Sequence, residues 1–380
     1  MGKLILLYFG TIFLAWMSQR YYPVKEDALE NERHFMRDKT DIFCVAIIVW
    51  LTLFNGLKTS YNDTGNYISF FRNGSTSIRA YLEKTNGFDY TGNPLFYLCQ
   101  AAVRGFTDNY HIWFLIVAFF NACVVVKFFK RYSVLFPFSL VVFHSIGTYV
   151  MYIAAMKQSV AVAVLMCAIP FLLKHKWIPY YLLVIVAIFF HTHAFMFLVL
   201  PLFLGRPWTK ITYIAISAVL FAMITYDITL GSFMEYAQSI GANVVEIEVF
   251  DGHTVHFLRV VVYAVPTVIS FVFKERVFRD TTQTEDLIVN MSILSCLILS
   301  IGLVEGGNLF ARMAGYFEWA SALALPWMLN KLFAPRSRNF IYICAGMLYF
   351  GYFLYEFMVS KDFGADYRAI GIFDFVKTLF

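Results

Sequence analysis

Residues Met151 to Phe195 read MYIAAMKQSVAVAVLMCAIPFLLKHKWIPYYLLVIVAIFFHTHAF, and the fold follows from how this stretch would cross an apolar medium. Two long hydrophobic runs are separated by the short basic turn Lys174, His175, Lys176, which predicts a pair of membrane-spanning helices. Lys157 and Gln158 open the first span while His191 and His193 close the second, so all four are expected at one membrane face. A lysine at the edge of an apolar span costs up to about 3 kcal/mol when it faces lipid, which favours a bundle interior or a water-filled cavity. The competing reading is that Lys157 snorkels to the headgroups and His191 merely ends a helix.

The remaining chain has the same character. Of its 380 residues 60% are hydrophobic and only 14% charged, with a mean hydropathy of +0.65, so an integral membrane protein is expected. Its 42 phenylalanines and 24 tyrosines suit a lipid-facing bundle with aromatic anchors at its interfaces. Although the net charge is +5, the cations sit in short groups between apolar runs, where they report topology rather than a nucleic-acid surface. Cys44, Cys99, Cys123, Cys167, Cys296 and Cys344 show no C-x-x-C spacing and read as small buried hydrophobes, not a disulfide framework or zinc site. No G-x-x-x-x-G-K-[ST] motif argues for nucleotide hydrolysis. The first apolar run lacks the cleavage pattern of a secretory signal and is expected to be retained.

Charge between the runs sets the expected orientation. Leu4–Met17 and Ile42–Leu57 make the first two spans, and the loop between them carries five lysines and arginines, hence a cytoplasmic position. Residues 58–108 then lie outside. Within them Pro94–Phe106 is largely apolar, but its thirteen residues rise only about 20 Å against a core of about 30 Å, so a short interfacial helix is expected. Further crossings follow at Asn109–Phe129, Val134–Ala154, the opening pair, Ala194–Leu204, Ile211–Tyr226, His256–Phe273, Asp286–Val304, a span from Arg312 to Leu329, and Asn339–Met358. The loop 227–255 holds five acidic residues and no lysine or arginine, which fits an external position. The expectation is an all-α polytopic protein: a single membrane domain over 1–380 with about twelve transmembrane helices, both ends external, and no internal repeat.

Under this topology Asp63, Lys157, His191, Arg259 and Arg312 all reach the external side. Several ionisable residues at one depth suggest a polar chamber open to the outside. Helical spacing puts Arg312 and Tyr316 on one face, and His256 and Arg259 on another. His191 and His193, two apart, would point to different helix faces, so no metal site is expected there. Each residue also has a plainer reading: Asp63 as a turn former, Arg312 as an interfacial cap, and the acidic loop as solvated.

The motifs resemble those of a known family. Lys157-Gln158 at a helix start, a K-x-K turn and Phe190-His191 at the end of the next span resemble the signature of the EpsG family of Wzy-type polysaccharide polymerases. G-L-K-x-x-Y-N-D-T-x-x-Y from Gly56 to Tyr67 is similar to that family's first outer-loop segment. Asn86, Gly87, Phe88 and Pro94–Tyr97 are similar to the short helix after it, Arg312-x-x-x-Tyr316-Phe317 to its late R-x-x-x-Y-F motif, and Asp366-Tyr367 to its C-terminal tyrosine. Lysine stands at 58 and 157 where the family more usually has arginine, and Asn62-Asp63 replaces Thr-Asp.

The resemblance implies a membrane enzyme of capsule, exopolysaccharide or O-antigen synthesis in a bacterial cytoplasmic (inner) membrane. Its substrate would be an oligosaccharide on polyprenyl diphosphate held in membrane lipid, with a flippase and a chain-length regulator as pathway partners, and neither cofactor nor nucleic acid. Asp63 or His191 would be the general base. Lys157, Arg312 and Arg259 would bind the diphosphate, arginine through paired oxygens and lysine as a point charge. Asn62, Tyr67, Gln158, His193 and Tyr316 would contact substrate. Two other readings stand beside this one: a transporter or flippase of the same lipid-linked oligosaccharide, disfavoured by one-sided charges and no repeat, and a membrane glycan O-acyltransferase, which would also place a histidine in its chamber.

Overall fold

Asp41 shows how the chain starts its helices. Its carboxylate accepts the Phe43 and Cys44 amides at 3.0 and 2.9 Å and so caps the helix that follows, and it also accepts the Ser18 hydroxyl at 2.8 Å. The computed structural model describes residues 2–23, 34–85, 87, 92–226, 254–358 and 367–379. They fall into two compact units, Met1–Leu198 with Ile343–Phe380, and Val199–Tyr342.

The first unit contains α1 (Gly2–Tyr21), α2 (Ile42–Gly56), α3 (Thr64–Asn73), α4 (Ile78–Lys84), α5 (Pro94–Arg104), α6 (Tyr110–Tyr132), α7 (Phe136–Ser145), α8 (Thr148–Ala154), α9 (Met156–Leu173) and α10 (Trp177–Phe190). Helices α2 and α6 pack so closely that a Cβ on Gly56 would stand 2.4 Å from Leu115 Cδ2 and 2.9 Å from its Cα. Only glycine fits there. At the other end of the same helices Lys130 stands 3.6 Å from Asp41, and the buried Arg131 pairs with Asp38 at 2.7 Å. Helix α9 turns back on α10 through the basic turn, as the opening stretch predicts.

The second unit holds α11 (Lys210–Ile224), α12 (Phe257–Val272), α13 (Lys274–Val277), α14 (Gln283–Ile301), α15 (Gly307–Ala314) and α16 (Ser321–Leu332). Helix α14 is its centre, packing on α11, α12, α15 and α16, and Thr282 with Glu285 closes a capping box at its start. Helix α17 (Pro335–Met358) begins in this unit and contributes its residues from Ile343 to the first, which ends with α18 (Ile372–Lys377).

Helices α1, α6, α9, α14 and α17 are long and apolar enough to cross a membrane, and α7 with α8 forms a sixth candidate bent by 58°. This is a multi-pass membrane protein. The expected number of about twelve is not reached by helices of full spanning length, for identifiable reasons. Helices α2, α10, α11 and α12 are apolar but shorter. The expected span Ala194–Leu204 is instead a run of 3-10 turns, Thr192–Leu198 and Leu200–Phe203. The expected span from Arg312 breaks after Ala314 and resumes only through a 3-10 turn at Glu318–Ala320 into α16. Gly147, at φ +85°, makes the bend between α7 and α8, a conformation that side chains with a Cβ disfavour.

One departure from an all-α chain concerns the site directly. Strand β1 (Lys58–Ser60) pairs antiparallel with β2 (Arg368–Ala369), and the Ile370 amide donates to Leu57 O at 2.9 Å. The short outer helix expected at Pro94–Phe106 is α5, with proline in its first turn and Asn93 before it in the left-handed region at φ 56°. The acidic stretch 227–253, Asn86, Phe88 and Asp366 lie outside the described residues.

Candidate active site

An aromatic core in the first unit includes one expected residue, Tyr67, and the chain neighbours of two others. Tyr67 and Phe71 of α3, Phe96 of α5, Trp113, Phe114 and Val117 of α6, and Met156 and Val160 of α9 are buried against one another, with Tyr97 and Phe190 packed at the edge. Met156 precedes Lys157 and Phe190 precedes His191, so packing of the apolar neighbours brings the two ionisable residues to one region. Tyr67, expected as a substrate contact, is itself a core residue resting on Phe96, with ring centroids 5.9 Å apart.

Lys157 lies in the first turn of α9. It is half-buried and donates to the Tyr97 hydroxyl at 3.3 Å, with its ammonium 5.1 Å from the Tyr97 ring centroid and 5.9 Å from that of Phe70. Gln158 beside it is buried.

Asp63 sits at the N-cap position of α3, after Asn62 in the left-handed region at φ 43°, yet its side chain makes no capping bond to that helix. Its charge acts instead on Lys58. Lys58 is wholly buried, donates to Asn55 Oδ1 at 2.8 Å and to the Ile153 carbonyl, and has its ammonium 5.2 Å from the Phe114 ring centroid. Burial pushes this lysine down to about 7, with the Asp63 carboxylate opposing the shift. In the sequence Lys58 stands out only as a basic position in the family-like segment. The signal for a site was Asn55 three residues before it, on the same turn.

His191 is the C-cap of α10, its amide donating to Ala187 O at 2.9 Å, and it is half-buried. The next residue anchors it: the Thr192 amide donates to Asn93 Oδ1 at 3.3 Å, tying the end of α10 to the start of α5. His191 and His193 do not diverge as α-helical spacing predicts. The 3-10 turn after α10 sets their rings perpendicular with centroids 5.0 Å apart. Among the described residues no group of three or more metal-ligating side chains forms.

In the second unit, His256 and Arg259 both stand at the start of α12. His256 caps α12, its ring nitrogen accepting the Leu258 amide at 3.3 Å, while Arg259 lies in the first turn with its guanidinium 5.6 Å from the Tyr263 ring centroid. Tyr263 donates its hydroxyl to Glu318, a carboxylate that is only 1% exposed. Arg312 occupies the last turn of α15, which stops at Ala314, so Tyr316 lies beyond the helix. Tyr316 is fully buried, and its carbonyl accepts the Trp319 indole at 2.9 Å. Glu318, directly after the R-x-x-x-Y-F motif, was not anticipated; an acid in so apolar a stretch was the available signal.

The C-terminal tyrosine of the sequence motif also reaches the first unit's site. Tyr367 stacks on Phe54 with centroids 4.3 Å apart, donates its hydroxyl to the Phe54 carbonyl, and stands 6.1 Å from the ring of Tyr61. Chemically, this unit sets the Lys58 ammonium against Phe114 of the aromatic core and the Lys157 ammonium against Tyr97 at its edge. Cations held by aromatic faces and backbone carbonyls can meet developing negative charge without reorganising.

A comparison with family models matches the EpsG family over residues 41–369, whereas no curated protein and no solved structure matches the chain. The matched stretch begins at the cap of α2, ends in β2, and contains the Lys157-Gln158, Phe190-His191 and Arg312-x-x-x-Tyr316-Phe317 motifs; the chain belongs to the EpsG family.

Proposed function

We propose that the protein is a Wzy-type polysaccharide polymerase that joins oligosaccharide repeat units carried on polyprenyl diphosphate, at the external face of a bacterial cytoplasmic membrane. Membership of the EpsG family supports a role in polysaccharide synthesis. The observation that supports the proposed chemistry is the aromatic core on which Met156, next to Lys157, and Phe190, next to His191, both pack, with the Lys58 ammonium against its Phe114.

In the proposed transfer the acceptor hydroxyl attacks the anomeric carbon of the donor glycan. A carbon–oxygen bond forms there as the bond to the diphosphate breaks. Asp63 or His191 takes the hydroxyl proton, and Lys157 balances the charge that builds on the departing polyprenyl diphosphate. Arg259 and Arg312 keep a proposed role in gripping diphosphate oxygens, and Asn62, Gln158 and His193 in contacting the sugars. The lipid diphosphate is the activated donor, so no nucleotide enters the step. A flippase and a chain-length regulator of the same pathway are the proposed partners.

The test is deletion of the gene in its native host, with surface glycan resolved on a gel. Loss of a polymerase leaves a single repeat unit on its carrier, whereas loss of a flippase abolishes external glycan. Complementation with Asp63→Ala, Lys157→Ala or His191→Ala separates the roles. A full ladder from all three variants overturns the proposal.

A further inference from the structure

A second cationic site lies within the other unit, and none of the residues proposed above to bind or act on substrate lines it. Arg206, Pro207 and Trp208 before α11, Lys274, Glu275 and Arg276 of α13, Phe278 and Arg279 after it, and Lys331 near the end of α16 line a cavity of about 660 Å³. Five cations face one carboxylate in that lining. Asp286, at the start of α14, also feels the charges of Arg206 and Lys331.

The cations divide into two kinds. Lys331 donates to the carbonyls of Val277 and Asp280, and Arg276 donates to Leu332 O at 3.3 Å, so these two fasten the loop after α12 to the end of α16. Arg206, Lys274 and Arg279 are exposed and make no ion pair with an acid within 4.0 Å among the described residues. The wall beside them is built rather than loose. Trp208 is held in the left-handed region at φ 61°, its amide donating to Thr212 Oγ1 at 3.0 Å and its indole to Ser270 Oγ at 3.1 Å, with its ring 4.8 Å from Phe271.

Cations that serve only to orient a span need no cavity, no pinned tryptophan and no gathering from three separate stretches of chain. We infer that this cavity binds an anionic phosphate group, either the headgroup of an anionic lipid or a soluble diphosphate. Three guanidinium or ammonium groups match phosphate oxygens, and the volume exceeds what a single small ion requires. Trp208 and Phe278 offer an apolar floor of the kind found at the headgroup level. By the distribution of basic residues this end is expected at the cytoplasmic surface, where anionic headgroups are concentrated. The inference does not rest on the polymerase reading.

The experiment uses the full chain carrying Lys157→Ala, Arg259→Gln and Arg312→Gln, so that the cations proposed above to grip diphosphate contribute nothing. In phosphatidylcholine nanodiscs, equilibrium binding of radiolabelled inorganic pyrophosphate is measured. In nanodiscs doped with phosphatidylglycerol, native mass spectrometry counts retained lipid. Binding of at least one probe is expected, weakened tenfold or more by Arg206→Gln with Arg279→Gln and unchanged by Arg79→Gln in the first unit. Pyrophosphate alone binding identifies a soluble source, and phosphatidylglycerol alone identifies a lipid. Lys274→Gln with an unchanged melting temperature guards against misfolding and is expected to weaken the same probe. Neither probe binding, or binding indifferent to the substitutions at Arg206, Arg279 and Lys274, overturns the inference.

Discussion

Lys157 is held by Tyr97 twice over, through the hydroxyl at 3.3 Å and through the ring at 5.1 Å. The two contacts differ in consequence. Tyr97→Phe keeps the ring and removes the hydrogen bond, a change on the order of 1 kcal/mol, so polymerisation should fall by no more than about tenfold. Lys157→Ala removes the charge itself and should cost about 10²–10³ in rate, whereas Lys157→Arg should retain much of the activity. Glycan ladder length in the complemented deletion strain, followed by initial rates with purified protein, checks all three.

Lys58 predicts a pH dependence of stability with a definite sign. Its folded value, about 7, lies below the ordinary lysine value of 10.5, because burial disfavours its charged form more than Asp63 favours it. Between these limits the unfolded chain binds the proton more tightly, so stability should decrease as pH falls from 10.5 towards 7 and level off below. Lys58→Met should flatten that slope. Denaturant unfolding in detergent across pH 6–10 provides the measurement.

Asp41 predicts the opposite edge of the profile. Burial alone would raise its carboxyl, but the Cys44 amide, the Ser18 hydroxyl and the charge of Lys130 together hold it below the ordinary carboxylate value. Its contribution is therefore complete above about pH 4 and is lost as pH falls through the depressed folded value. Asp41→Asn should remove this acid-dependent part of the unfolding curve while the wild-type chain retains it. Melting temperature against pH from 6 to 3 is the check.

Gly56 predicts a packing defect. A methyl group there meets Leu115 at both a flexible and a backbone atom, at 2.4 and 2.9 Å, so α2 and α6 must separate. Gly56→Ala should destabilise the protein by about 1–3 kcal/mol. Because His111 Nδ1 lies 3.0 Å from Gly56 O, the displacement should also reach the start of α6. Thermal unfolding of the purified variant reads the loss.

The hairpin of α9 and α10 was legible because uncharged runs of that length have few other solutions, and Lys157 with His191 came out at the ends the sequence gives them. The bend at Gly147 was not, since hydropathy is blind to a positive φ. Nor was the 3-10 turn after His191, which reverses the argument from helical spacing and brings His193 alongside. Lys58 was passed over because lysine in a membrane protein reads first as a marker of topology. Its burial depends on Ile153, ninety-five residues away in sequence, and on Phe114. Pattern reasoning recovers contacts within an element, and these contacts lie between elements.

The pairing of β1 with β2 joins residue 58 to residue 369, so the strand that carries the buried lysine waits for its partner until nearly the whole chain has left the ribosome. Helices α3 to α17 lie between the two strands in the chain, so this corner closes only after they have been made, and the stacking of Tyr367 on Phe54 becomes a late latch on assembly. A translation product cut short before β2 would lack both this pairing and the stack on Phe54, leaving the strand of Lys58 without its partner.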